Sequence, residues 1–176
     1  MPNWCDCDLT VTGPAETLAA FREHVQETRD VPHKGPFSAD KLIPYPNEFA
    51  KADEAARLYN EEVESGKRPR DPIRPFGPKD GFNFGGYDWC VKHWGTKWGL
   101  CDCTLKTGPD GELLYSFQTA WSPPRPVIAE AAAVFPALTF DLRYFERGAE
   151  FQGVFRCARG KVAQDTTSSY TGPRGG

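Results

Sequence analysis

Apolar and polar positions alternate from residue 5 to residue 12. Cys5, Cys7, Leu9 and Val11 share one side, and Asp6, Asp8, Thr10 and Thr12 share the other. A period of two places one side in a core and the other toward water, so this stretch predicts a half-buried strand. Gly13-Pro14 ends it. In the next segment, PAETLAAFREHVQET, Leu18, Phe21 and Val25 fall at helical spacing. Pro14 suits a first turn and Glu16 suits the positive end of the helix dipole, so a helix follows the strand.

From residue 30 to residue 86 the patterning lapses. FSADKLIPYPNEF is apolar but punctuated by proline and predicts an ordered loop. ADEAARLYNEEVESG predicts a mostly polar helix ended by Gly66. GKRPRDPIRPFGPKDGFNFGG is rich in Pro, Gly and basic residues and predicts a loop. The whole span reads as an insertion in a smaller fold.

Beyond it, GYDWCVKHWG predicts two helical turns, with Asp88 near the start and Gly95 as the stop. TKWGLCDCTLKTG and ELLYSFQTAW predict two strands joined at Pro109-Asp110-Gly111. SPPRPVIAEAAAVFP predicts a helix with Ser122 as a cap-like residue and Pro136 beyond its end. LTFDLRYFE and FQGVFRCARG predict strands around a tight RGAE turn, and KVAQ a short extension of the sheet.

The resulting order, β-α-insertion-β-β-α-β-β, is that of an α+β, ferredoxin-like split βαβ antiparallel sheet. An added C-terminal hairpin strand and the long inserted loop and helix region complete the expected plan. It places the first strand centrally, beside the third and fourth. One domain is expected over 1–162, with 30–86 as the insertion, and a flexible tail over 163–176, where DTTSSYTGPRGG (165–176) lacks apolar content.

Composition narrows the function. A formal net charge of -3 argues against a chain that coats nucleic acid, a task that needs a basic face. MPNWCDCDLTV lacks the basic and apolar regions of a secretory signal, and no apolar run reaches membrane-spanning length. A cytoplasmic location is expected, where the six cysteines are reduced thiols or metal ligands rather than disulfides.

Several segments then carry a resemblance. MPNWC, GYDWCVKHWGTKWG, TAWSPP after a strand, and FERGAEFQGVF together resemble a family of phage and plasmid proteins with a YubB-type ferredoxin-like domain. The resemblance runs from Met1 to about Val162. It implies the fold and an origin in a mobile element, and it brings no catalytic residues. Cys7 stands where the family pattern implies a polar residue.

Two CDC motifs, Cys5-Asp6-Cys7 and Cys101-Asp102-Cys103, invite a four-thiolate zinc site. Two arguments oppose it. Cys5 and Cys7 continue the apolar stripe of Leu9 and Val11, and Cys101 and Cys103 continue toward Leu105, as buried thiols do. The expected sheet also separates the two strands by a third, ~10 Å apart. The other faces carry Asp6, Asp8, Asp102, Ser116, Gln118, Asp141 and Arg143, a polar surface unlike an RNA-binding sheet. A divalent-metal site on Asp6, Asp8 and Asp141 is the less favoured reading of that face. Cys90 and His93 are three apart, but no orienting group is readable. His24 and His33 have no visible partners. No metal or cofactor is expected.

Four of the five tryptophans lie between residues 89 and 121. Trp89, Lys92, His93, Lys97, Trp98 and Trp121 form the candidate ligand surface, since interleaved aromatics and cations stack flat groups and hold anions. The competing reading, favoured on packing grounds, makes the tryptophans anchors for the insertion. The expected function is a non-enzymatic accessory binding protein. Its partner would be a host or phage protein or a small anionic ligand. The alternatives are an enzyme acting on a nucleotide or nucleic acid, and direct nucleic-acid binding through the basic loop of Lys67, Arg68, Arg70, Arg74 and Lys79.

Overall fold

The first strand, β1 (Trp4–Thr12), realises the alternation: Cys5, Cys7, Leu9 and Val11 are buried, and the residues between them are not. The computed structural model describes residues 2–29, 35–73, 77–172 and 174, so His33 and Arg74 lie outside the described residues. The chain divides into two compact units, residues 1–44 with 91–176, and residues 45–90.

In the first unit, β1 is followed by α1 (Ala15–Val25), with Leu18, Phe21 and Val25 buried as their spacing predicts. The strands β2 (Cys101–Thr107) and β3 (Leu113–Ala120) form a hairpin. The helix α4 (Arg125–Val134) leads to β4 (Thr139–Glu146), β5 (Phe151–Ala158) and β6 (Lys161–Ser169). The six strands form one antiparallel sheet in the order β2-β3-β1-β4-β5-β6. Its first four positions are the ferredoxin-like arrangement, with β1 between β3 and β4. The fold is α+β and ferredoxin-like, widened by β5 and β6.

The core lies on the Cys5–Val11 side of the sheet. Phe21 of α1 meets Phe37, Tyr115, Phe135 and Phe140 edge to face, with ring centroids 5.2 to 6.2 Å apart. The open side carries Asp6, Asp8, Ser116 and Gln118, which pair across the ladder: Gln118 Nε2 donates to Asp6 at 2.8 Å and Ser116 Oγ to Asp8 at 3.0 Å. Asp141 lies 3.9 Å from both Arg143 and Arg156, and Arg174 binds Asp8.

Three sequence expectations change. Residues 163–169 are strand, not tail. Apart from Ala163 this strip is polar, and it escapes the usual apolar signal because β6 is an edge strand, exposed throughout. Arg125 and Tyr144 hold it: the guanidinium donates to Thr167 Oγ1 at 2.9 Å, and the Tyr144 hydroxyl to the Thr166 carbonyl at 3.1 Å. Second, Pro124 stands in the capping position of α4, while the Ser122 hydroxyl points elsewhere, to the Gly95 carbonyl at 2.6 Å. Third, a bulge interrupts β2. Cys101 pairs with Gln118, but Thr104 pairs with Ser116, and Asp102 sits between them with φ 49°. Cys101 therefore shares the open face with Gln118, while the Cys103 thiol faces the other way, toward the backbone of Phe37. The two thiols do not share the apolar stripe expected of them.

The second unit is built on α2 (Asn47–Glu64), with Ala56 and Tyr59 buried. Asp53 organises it, accepting from the Tyr45 hydroxyl at 3.1 Å and from the Phe82 N–H at 2.8 Å. The helix α3 (Tyr87–His93) contains the boundary between the units, which falls after Cys90. This second unit begins and ends later than the expected insertion.

One prediction concerns the buried Glu27, after α1. Its carboxylate accepts from the Arg29 guanidinium at 2.6 Å and the Arg29 N–H at 2.9 Å, with Lys41 3.5 Å away. Those hydrogen bonds hold its pKa down to about 2. Its cover is shallow, since Arg29 is 66% exposed. The folded state favours the ionised form more than the unfolded chain does. The contribution is complete above the ordinary value near 4.5 and vanishes as pH falls through about 2. Denaturant melts from pH 5 to pH 2 should show this loss, and Glu27→Gln should flatten it. An equal slope in both proteins would count against the assignment.

Candidate functional site

The loop between α3 and β2 begins at Trp94, which is buried and donates its indole N–H to the Ile43 carbonyl at 2.9 Å. Gly95 then turns with φ +76°, close against Pro126 and the Pro123 carbonyl. Thr96 is buried and donates to the Ala120 carbonyl at 2.9 Å. These bonds, with that of Ser122 to Gly95, fasten the WGTKW loop to the end of β3 and the turn that follows it. Thr119 Oγ1 donates to the Ser122 carbonyl at 2.9 Å, and the Trp121 N–H to the Asn3 carbonyl at 2.9 Å. WGTKW and TAWSPP, remote in sequence, are two halves of one structure.

That scaffold presents Lys97. Its ammonium lies 4.6 Å from the Trp98 ring centroid and 4.9 Å from that of Trp121. Trp98 in turn packs against Trp4, centroids 6.3 Å apart and planes tilted by 59°. Trp4 faces the same side of the sheet as Asp6. Trp121 is 41% exposed, and its φ of 71° turns the chain out of the sheet. Two indole faces near one ammonium are worth ~0.5–1 kcal/mol each at a surface. Among the described residues no carboxylate pairs with Lys97.

Of the six residues expected at the site, Lys97, Trp98 and Trp121 come together. Trp89 belongs to the second unit, where its ring lies 5.6 Å from that of Tyr45. Lys92 is exposed on α3, and His93 is half-buried. Trp4 is the member that sequence reasoning missed. The signal was available: Trp4 continues the open-face positions Asp6 and Asp8, and the expected topology sets β1 beside the end of β3.

The other constellations are accounted for structurally. Burial, with the charge of Asp53, pushes the Cys90 thiol up to about 12, which leaves it a poor partner for His93. Burial likewise pushes Cys103 to about 12 and raises Cys7. Among the described residues no three His, Cys, Asp or Glu side chains gather as metal ligands. In the basic loop, Arg68 lies over the Tyr59 ring at 4.8 Å and 3.4 Å from Glu62, and Lys79 lies 4.3 Å over Phe84. No helix among the described residues is long and apolar enough to cross a membrane.

Known proteins resemble this arrangement in part. No curated protein matches the chain in sequence. The crystal structure of protein api92 from Yersinia pseudotuberculosis aligns with a TM-score of 0.57 at 10% identity. It covers 99% of this chain and 100% of that one, a likeness of fold. Residues 94–172, from Trp94 through β6, match the family described as the ferredoxin-like domain in Api92-like protein.

Proposed function

We propose that this protein is a binding protein rather than an enzyme, and that it holds an anionic ligand at Lys97, between Trp98 and Trp121. The observation that carries this is the Lys97 ammonium itself. It is flanked by two indoles, fixed by a hydrogen-bonded loop, and paired with no carboxylate among the described residues. Trp121 offers an exposed face for a flat group attached to the anion. A small anionic molecule fits this pattern, and an acidic side chain of a host or phage protein would use the same contacts. The phage or plasmid setting, in the host cytoplasm, rests on the sequence resemblance. Burial raises the pKa of the Cys7, Cys90 and Cys103 thiols, which disfavours a thiol-nucleophile form of the nucleotide-directed alternative.

Native mass spectrometry of the protein from infected cells tests this. The wild type is expected to carry a bound anion, and the double variant Lys92→Ala with Lys97→Ala to have lost it. Stability should change by no more than ~1 kcal/mol, as for other surface side chains. Equal occupancy in both proteins would place the site elsewhere.

A further inference from the structure

Beyond β6 the chain turns back onto the open side of the sheet. Thr171 is held by Gln152 of β5: the Gln152 side-chain amide donates to Thr171 Oγ1 at 3.1 Å and accepts from the Thr171 N–H at 3.3 Å. Gln152 pairs with Phe145 across β5 and β4, and Phe145 pairs with Asp6 across β4 and β1, so all three face the same side. Arg174 reaches further along this row. Two guanidinium nitrogens donate to the two oxygens of Asp8, one of them at 2.9 Å, and the guanidinium carbon lies 5.3 Å from the centre of the Phe145 ring. Thr171 and Arg174 thus strap the open face from β5 to β1.

The seat of Arg174 is made by the sheet. Ser116 Oγ fixes one oxygen of Asp8 at 3.0 Å. Arg143 stands opposite Asp8 in the ladder, yet among the described residues the two form no ion pair; Arg143 lies beside Asp141 instead, 3.9 Å away. Asp8 therefore keeps both oxygens for a guanidinium fork, and Phe145 adds a flat face beneath it, a combination that suits arginine and not lysine. Next to this seat a groove of about 260 Å³ lies between Arg143, Phe145, Gln152, Val154, Thr166 and Ser168. Phe145 and Val154 are half-buried in it. The strap touches two of its walls, Gln152 and Phe145, but does not itself line it. That volume suits a side chain rather than a whole drug-sized ligand.

We propose that the open face of the sheet is a docking surface for an arginine-bearing segment of a partner protein, and that Arg174 occupies its arginine seat in the absence of that partner. The occupant is read from the guanidinium already seated there: the chain supplies its own example of the chemistry the face accepts. The hold is light. Arg174 is 47% exposed, and an exposed ion pair contributes little even when it is bidentate. A partner that places an arginine on Asp8 and a neighbouring apolar side chain in the groove makes the strap's contacts and adds one that the strap lacks. The strap then acts as a competitor held in place by its own chain, and it lowers the apparent affinity of the partner by the fraction of molecules in which it is seated. None of these residues belongs to the Lys97 site.

Amide NMR titrations of the full chain at low salt test this, with the synthetic peptide SYTGPRGG as probe and versions carrying lysine or glutamate in place of its arginine. In the Arg174→Ala protein, whose strap cannot compete, the arginine peptide should give saturable shifts at Asp8, Phe145 and Gln152. The wild type should bind it about fivefold or more weakly, because its own arginine holds the seat. The lysine peptide should bind several times more weakly than the arginine peptide, and the glutamate peptide should not bind. Adding Asp8→Asn to Arg174→Ala should weaken binding of the arginine peptide about tenfold. Adding Lys97→Ala should leave it intact, which separates this surface from the Lys97 site. The proposal is overturned if the Arg174→Ala protein shows no saturable shifts, or if the lysine or glutamate peptide binds as well as the arginine peptide. It is overturned equally if the wild type binds as tightly as Arg174→Ala, or if Asp8→Asn has no effect.

Discussion

Phe21→Ala is expected to destabilise the protein by about 3–5 kcal/mol, the usual cost of deleting a buried phenyl ring. Phe21 has no exposed surface and touches rings from four segments. Phe37 comes from the loop after α1, Tyr115 from β3, Phe140 from β4, and Phe135 from the end of α4. No small shift of one segment can fill a void bounded by all four. Urea denaturation should show a lower midpoint with a similar slope. Phe21→Leu, which leaves less empty space, should lose clearly less. A loss under ~1 kcal/mol for the alanine variant would contradict this packing.

Gly95→Ala is expected to cost about 2–4 kcal/mol, from strain at a positive φ and from crowding. A methyl group there would lie 2.6 Å from Pro126 Cδ and 3.3 Å from the Pro123 carbonyl, a backbone atom that cannot swing aside. Gly111→Ala is the control. Its φ is +82°, but nothing lies within 4 Å, so only the backbone strain remains. The difference between the two variants isolates the crowding. Because Gly95 fixes the loop that carries Lys97, the variant should also separate Lys97 from Trp121. A red shift of tryptophan fluorescence in the native state, absent from Gly111→Ala, would report this. Equal losses in the two variants would show that the WGTKW loop is not held against the prolines.

The sequence carried the strand and helix order because the buried faces follow simple periods. Cys5 to Val11 repeat every two residues, and Leu18, Phe21 and Val25 every three or four. The sheet order followed from that order by topology. What was illegible came from interactions without a period. β6 has no apolar face, and its strand state depends on Arg125 and Tyr144, which lie far away in sequence. The Asp102 bulge is a local exception to alternation, and only pairing with β3 reveals it. The aromatic segment was visible as a density of tryptophan, but Trp89 could not be separated from Trp98 by spacing. Trp4 joined them only through the return of β3 to the start of β1.

The bulge in β2 also has a practical consequence. Strict alternation would put positions 101 and 103 in the same surroundings, and two reporters there would be redundant. Here the pair supplies two separate handles, one on each side of a single sheet. Cys101 and Cys103 are both half-buried, and the other thiols are fully buried. A fluorophore on Cys101, with Cys103→Ser, would watch the tryptophan side. The reverse combination would watch the side beneath α1. One strand edge thus reports on both faces of the sheet independently in the same molecule.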